Sequence, residues 1–245
     1  MSQIYETPTQ EVVQEKKSSG VLSFAKVFLY MFMFLAISTA VAFGLPYILV
    51  YAAEHGATAE VIANAYYGLM IASGISIFVL MLVINFVFLK GKHSVIIPAI
   101  IYAVMMGVLL SSFVIFLEGN WWLLGMAFGI TAGIFLLMTL IAALTKGSLH
   151  PLLYIGMGLL IGSGVLALVN WLIGSNTIMW IVTFAMFAAI MFMTMFDIWN
   201  IKKICERGQM NENLALYCAF TLYVDFIYIL IRVLYFLILI FGRKS

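Results

Sequence analysis

Residues 191–242 read MFMTMFDIWNIKKICERGQMNENLALYCAFTLYVDFIYILIRVLYFLILIFG, two long apolar runs joined by a short basic linker. Each run carries one acid, Asp197 in the first and Asp225 in the second. The other eight carboxylates of the chain lie in tails or loops. An ionised side chain at membrane depth costs from about 2.5 to more than 10 kcal/mol, so it needs a partner or a function. Two such groups on consecutive helices are therefore read together.

Working outward, the whole chain of 245 residues is 65% hydrophobic and only 9% charged. A soluble domain holds roughly 45–50% apolar and about 25% charged residues, so this composition excludes one. Seven apolar runs are long enough to cross roughly 30 Å of hydrocarbon: 24–50, 63–89, 94–117, 122–145, 152–173, 177–201 and 213–241. They are continuous rather than alternating, which argues for helices and against a barrel. The expected fold is an all-α membrane protein with seven transmembrane helices, a single domain over 21–245 preceded by a polar, disordered tail at 1–20. The first run is about twice the length of a signal-peptide core, so it is read as a retained span.

Basic residues set the expected orientation. With the N-terminus inside, the inner segments hold Lys16, Lys17, Lys26, Lys90, Lys92, Lys146, Lys202, Lys203 and Arg207, and the outer loops between spans hold none. That predicts a multi-pass protein with a cytoplasmic N-terminus; the membrane expected for it, on grounds other than charge, is a bacterial plasma membrane. Arg243 and Lys244 leave open whether the last segment crosses fully or re-enters. The basic residues form no patch, which argues against nucleic acid as a partner; the expected surroundings are the lipid bilayer.

Small residues recur at four-residue spacing: Gly107 with Ser111, then Gly125, Gly129 and Gly133, then Gly158 and Gly162. This spacing predicts close helix approaches. The seventh run lacks glycine and carries Tyr217, Tyr223, Tyr228, Tyr235, Asp225 and Arg232. A bulky, polar-tipped helix is expected to face protein, which places it at the bundle centre.

The acids fall at similar depth. Gly208 is an expected helix stop, and Asn211 or Asn213 an expected N-cap. Asp197 lies eleven residues before Gly208 and Asp225 fourteen after Asn211, or about 17 and 21 Å at 1.5 Å per residue. Two carboxylates in contact at low dielectric cannot both ionise cheaply, so the pair is expected to share a proton and titrate as a unit. That is a pH sensor, closed when protonated and pushed apart when not. A cation that takes six to eight oxygen ligands would be held weakly by two carboxylates alone. Ser111, Ser112, Tyr102 and Thr194 are candidate further oxygens. Arg232, seven residues after Asp225, is expected to lean toward it, with Tyr223 a further candidate modulator.

These segments resemble the Bax inhibitor-1 family. Phe196-Asp197-Ile198-Trp199-Asn200-Ile201-Lys202 is similar to the family's Tyr-Asp-Thr-Gln-x-x-Lys pattern, keeping the Asp and the Lys. Ala219-Phe220-Thr221-Leu222-Tyr223-Val224-Asp225-Phe226-Ile227-Tyr228 is similar to its Ala-Leu-x-Leu-Tyr-Leu-Asp-Phe-Ile-Asn, and Tyr102, Gly107 and Leu110-Ser111-Ser112 echo its third span. The resemblance implies a seven-helix fold with the last helix central and a calcium leak gated by the aspartate pair. The departures are Phe196, Trp199, Asn200, Tyr228, an early Arg232, and lysines (Lys90, Lys92) where some members carry an arginine near the inner end of span two.

Other chemistries are less well supplied. An intramembrane aspartyl protease also pairs acids on neighbouring spans, but no glycine precedes Asp225, so no enzyme is expected. His55, His93 and His150 fall in separate loops, and Cys205 and Cys218 lack metal-ligand spacing, so no cofactor is expected beyond transported Ca²⁺ and protons. Glu54, Glu60 and Glu118 are read as solvated loop charges. The alternative to a leak is a regulator of stress or protein quality control that acts by contact with another membrane protein, such as a protease.

Overall fold

A computed structural model of the chain describes residues 10–90, 94–117 and 120–241, with the side chains of 10–19 and of Lys90 left undescribed. The described residues form seven helices and no strand: α1 (Gln10–Glu54), α2 (Ala59–Lys90), α3 (Ile96–Phe116), α4 (Trp121–Leu144), α5 (His150–Ile173), α6 (Asn176–Glu206) and α7 (Glu212–Phe241). All seven are long and apolar enough to cross a membrane. A helix satisfies its own backbone, which is why such runs fold this way where no water is present.

Helix α1 begins at Gln10, inside the segment expected to be a tail. Residues 1–9, Gly91, Lys92, His93, Glu118 and the Arg243-Lys244 end lie outside the described residues, so the expectations on them find no structural counterpart.

Two glycines close their helices as left-handed caps. Gly174, at φ +71°, returns its N–H to the Asn170 carbonyl after α5. Gly208, at φ +70°, turns the chain from α6 toward α7. Only a residue without Cβ adopts this conformation cheaply.

Helix α7 packs against α1, α4 and α6 and also touches α2 and α3. Buried residues lie all around its axis, among them Phe220, Tyr223, Phe226 and Ile229. Tyr223 and Phe220 meet Tyr102 on α3 edge-on, and Phe226 meets Phe128 and Phe135 on α4. Helix α5 packs on α6, and α2 chiefly on α3, so these two form the flanks of the bundle.

The glycine expectation holds at one place and fails at the others. A Cβ on Gly107 would sit 2.6 Å from the Ser38 carbonyl oxygen and 2.7 Å from Val41 Cβ, so α1 and α3 meet in backbone contact there. Gly125, Gly129, Gly133, Gly158 and Gly162 have nothing within 4 Å of that position and are exposed. Gly125 borders an open space beside α1, the other four meet no neighbouring helix, and Gly156 makes the close contact on α5 instead, against Met193 and Ala189 of α6. Four-residue spacing places small residues on one face. It does not say whether that face meets a helix or lipid.

Candidate functional site

The turn between α6 and α7 is built much as its residues suggest. Asn211 Oδ1 accepts the Leu214 N–H at 2.8 Å and so caps α7. Asn213 has a different task, accepting the Val95 N–H at the start of α3 at 3.0 Å. Beside it, Glu212 accepts hydrogen bonds from Lys26 Nζ and Tyr30 Oη, both on α1. The start of α7 is thus tied to two other helices.

Depth along the hairpin follows from these ends. Asp197 lies nine residues before Glu206, roughly 14 Å into α6, and Asp225 thirteen after Glu212, roughly 20 Å into α7. The level on α6 that matches Asp225 is therefore one turn beyond Asp197, at Thr194. Thr194 is the polar side chain that α6 presents to Asp225, while its own hydroxyl donates to the Ile190 carbonyl at 2.8 Å. Asp197 lies within electrostatic range of Asp225. Asp225 Oδ2 is buried and, among the described residues, has no hydrogen-bond partner. An unpaired buried carboxylate oxygen is costly in a medium this apolar.

The sequence profile described as "Inhibitor of apoptosis-promoting Bax1" matches residues 21–243, nearly the whole chain. The chain belongs to this family. No curated protein matches it.

Within this Bax inhibitor-1 member, the other singled-out residues divide by the face each occupies. Tyr223 is fully buried on the side of α7 away from Asp225. Its hydroxyl lies 2.5 Å from Ser38 Oγ, which in turn is 2.8 Å from the Ala103 carbonyl oxygen. A serine has one proton to give, so the consistent chain runs from Tyr223 to Ser38 to the α3 backbone. Tyr223 ties α1, α3 and α7 together.

Arg232 does not lean toward Asp225. Its Nη2 donates to Met186 Sδ at 3.2 Å, and among the described residues it forms no ion pair. Position 232 is shared with the acid's face, but the side chain reaches across to α6 at its own level, two turns beyond the acid.

Ser111 and Ser112 lie beyond the level of Asp225. Val95 meets Asn213 at the start of α3, and Ser111 is sixteen residues, about 24 Å, further along α3, while Asp225 is twelve residues, about 18 Å, further along α7. Both serine hydroxyls donate to their own helix, at Val108 and Leu109, and Ser111 also meets Tyr66 Oη at 3.2 Å. Of the four candidate oxygens, the structure brings Thr194 to Asp225. Tyr102 is fully buried, faced by Tyr228, and among the described residues its hydroxyl has no partner in hydrogen-bonding geometry.

The departures from the family pattern find partners. Phe196 and Trp199 each meet the ring of His150 edge-on at 5.4 Å. Tyr228, one turn past Asp225, lies within range of both that acid and Tyr102. Lys202, which the pattern shares, donates to the Ala143 carbonyl at the end of α4, where a cation suits the helix terminus.

One partner escaped the sequence reading. Asn85, on α2, accepts the Tyr217 hydroxyl at 2.7 Å, and Phe88 stacks on the Tyr217 ring at 3.9 Å between centroids. The available signal was a lone amide inside an apolar run, which needs a polar partner in lipid. Cys205 and Cys218 are buried and free. The described residues hold no group of three His, Cys, Asp or Glu able to close on one ion. A cation at the acid pair would thus complete its shell from hydroxyls, carbonyls or water.

Proposed function

We propose that the protein is a passive, pH-sensitive calcium leak in which Asp197 and Asp225 share a proton and act as the gate. The observation that carries this reading is the buried, unpartnered Oδ2 of Asp225, set within range of a second acid in the interior of a membrane bundle. A proton or a weakly held cation relieves the cost of that oxygen. Family membership supports the same reading. With the proton shared, the two helices stay together; when it leaves at higher pH, like charges repel and α6 and α7 part. Weak, hydrated binding suits conduction, because an ion must enter and also leave. The reading assigns no catalytic residue. It places the N-terminus in the cytoplasm and the protein in a bacterial plasma membrane.

The test is dye-reported Ca²⁺ entry into liposomes containing only this protein, across about pH 5 to 8. Flux should rise with pH. Asp197→Asn and Asp225→Asn should each abolish that response, and the double variant should add little, since both changes disable one unit. If both single variants keep the wild-type profile, the paired-acid mechanism is wrong. Absence of flux at every pH would favour the contact regulator, for which the exposed glycine rows of α4 and α5 offer flat faces.

A further inference from the structure

A second feature of the fold lies on the other side of α7 from the acids. Helices α1 and α4 approach each other through aromatic rings at two heights. Phe28 meets Phe135 near one end, at 6.4 Å between centroids, and Phe43 stacks on Trp121 near the other, at 5.9 Å. Fifteen residues of α1 separate these two ring pairs, about 22 Å. Between the two struts the helices leave a cavity of about 500 Å³, with Ile227, Leu230, Ile231 and Leu234 of α7 on its wall.

The cavity opens sideways rather than toward water. Phe43, Trp121 and Phe128 border it and are 43%, 51% and 46% exposed, on helices that are apolar all round. Among the described residues, Thr39 and the Trp121 indole bring the only polar side-chain groups of its wall. Water filling a space of this size would need about three hydrogen bonds for each molecule of roughly 30 Å³, and two groups cannot supply them. Left empty, the wall would forfeit its dispersion contacts. The volume lies in the range of small-molecule sites, and the apolar molecule present in excess at this depth is lipid.

We infer that the cavity between α1 and α4 is a binding site for one acyl chain of a membrane lipid, entering sideways between the two aromatic struts. Thr39, Gly125 and Phe128 line the opening, and Phe43 and Trp121 frame its end nearest the membrane surface. Gly125 keeps the opening wide, since a Cβ there would meet nothing within 4 Å. A side chain added at that position occupies the cavity without displacing the protein.

The test uses the full chain in vesicles of phosphatidylcholine mixed with phosphatidylcholine brominated at mid-chain, because bromine quenches indole fluorescence on contact. Two reporters are compared: a chain whose only tryptophan is Trp121, and one whose only tryptophan is Trp171, which is 81% exposed on α5. In fully brominated lipid, Trp121 should be quenched to a greater extent than Trp171. Gly125→Leu, which fills the space, should abolish that excess while leaving helicity unchanged; Thr39→Phe serves the same purpose if Gly125→Leu fails to fold. Equal quenching of the two reporters, or an excess that survives filling, overturns the assignment. Quenching of Trp121 weaker than that of Trp171 also overturns it, and points to a second copy of the chain covering the opening.

Discussion

Replacing Gly107 by alanine tests the packing that positions everything else. The added Cβ would lie 2.6 Å from the Ser38 carbonyl oxygen, against an ordinary carbon–oxygen contact of about 3.3 Å, so α1 and α3 must part by about 0.7 Å. That movement carries Ser38 Oγ from 2.8 Å to about 3.5 Å from the Ala103 carbonyl, beyond useful hydrogen-bonding distance. Overpacking of this kind costs about 1–3 kcal/mol. A hydrogen bond between membrane helices adds about 0.6 kcal/mol, at most about 1.7. Less the roughly 1 kcal/mol that alanine gains in helix propensity, Gly107→Ala should destabilise by about 1–3 kcal/mol in reversible detergent unfolding. Gly129→Ala is the control: nothing lies within 4 Å of its Cβ, and helix propensity alone favours alanine by up to about 1 kcal/mol. Equal stability of the two variants would refute the close α1–α3 contact and the polar chain built on it.

Three further outcomes follow from other contacts. Arg232→Gln should leave the pH midpoint of flux unchanged, because Arg232 donates to Met186 and not to Asp225; a shifted midpoint in the liposome assay would return Arg232 to the mechanism. Tyr217→Phe should cost about 0.6 kcal/mol and Asn85→Ala should add little to it, since one bond joins the two; additive losses in a double-mutant cycle would count against the pairing. A topology reporter fused at Asn120 should register outside and one at Gly208 inside, as the placement of basic residues requires; the reverse pattern would refute the orientation.

The existence and type of every helix were legible in the sequence, because a membrane admits only structures that satisfy their own backbone and the apolar runs are continuous. The hairpin was legible for a local reason: Gly208 and Asn211 act within a few residues of themselves, so turn and cap chemistry places both acids in depth before any tertiary contact exists. Direction around the helix axis was not legible. In water, an apolar stripe marks the buried face of a helix, but in lipid both faces are apolar and the stripe disappears. Hence Gly107 meets α1 while Gly129, on an equally regular row, meets nothing. For the same reason Tyr223 turns to Ser38, Arg232 reaches Met186, and Ser111 remains about 6 Å beyond the level of Asp225. Which helix stands beside each face, and with it which polar groups meet, is decided by how seven helices pack, and only the tertiary structure contains that.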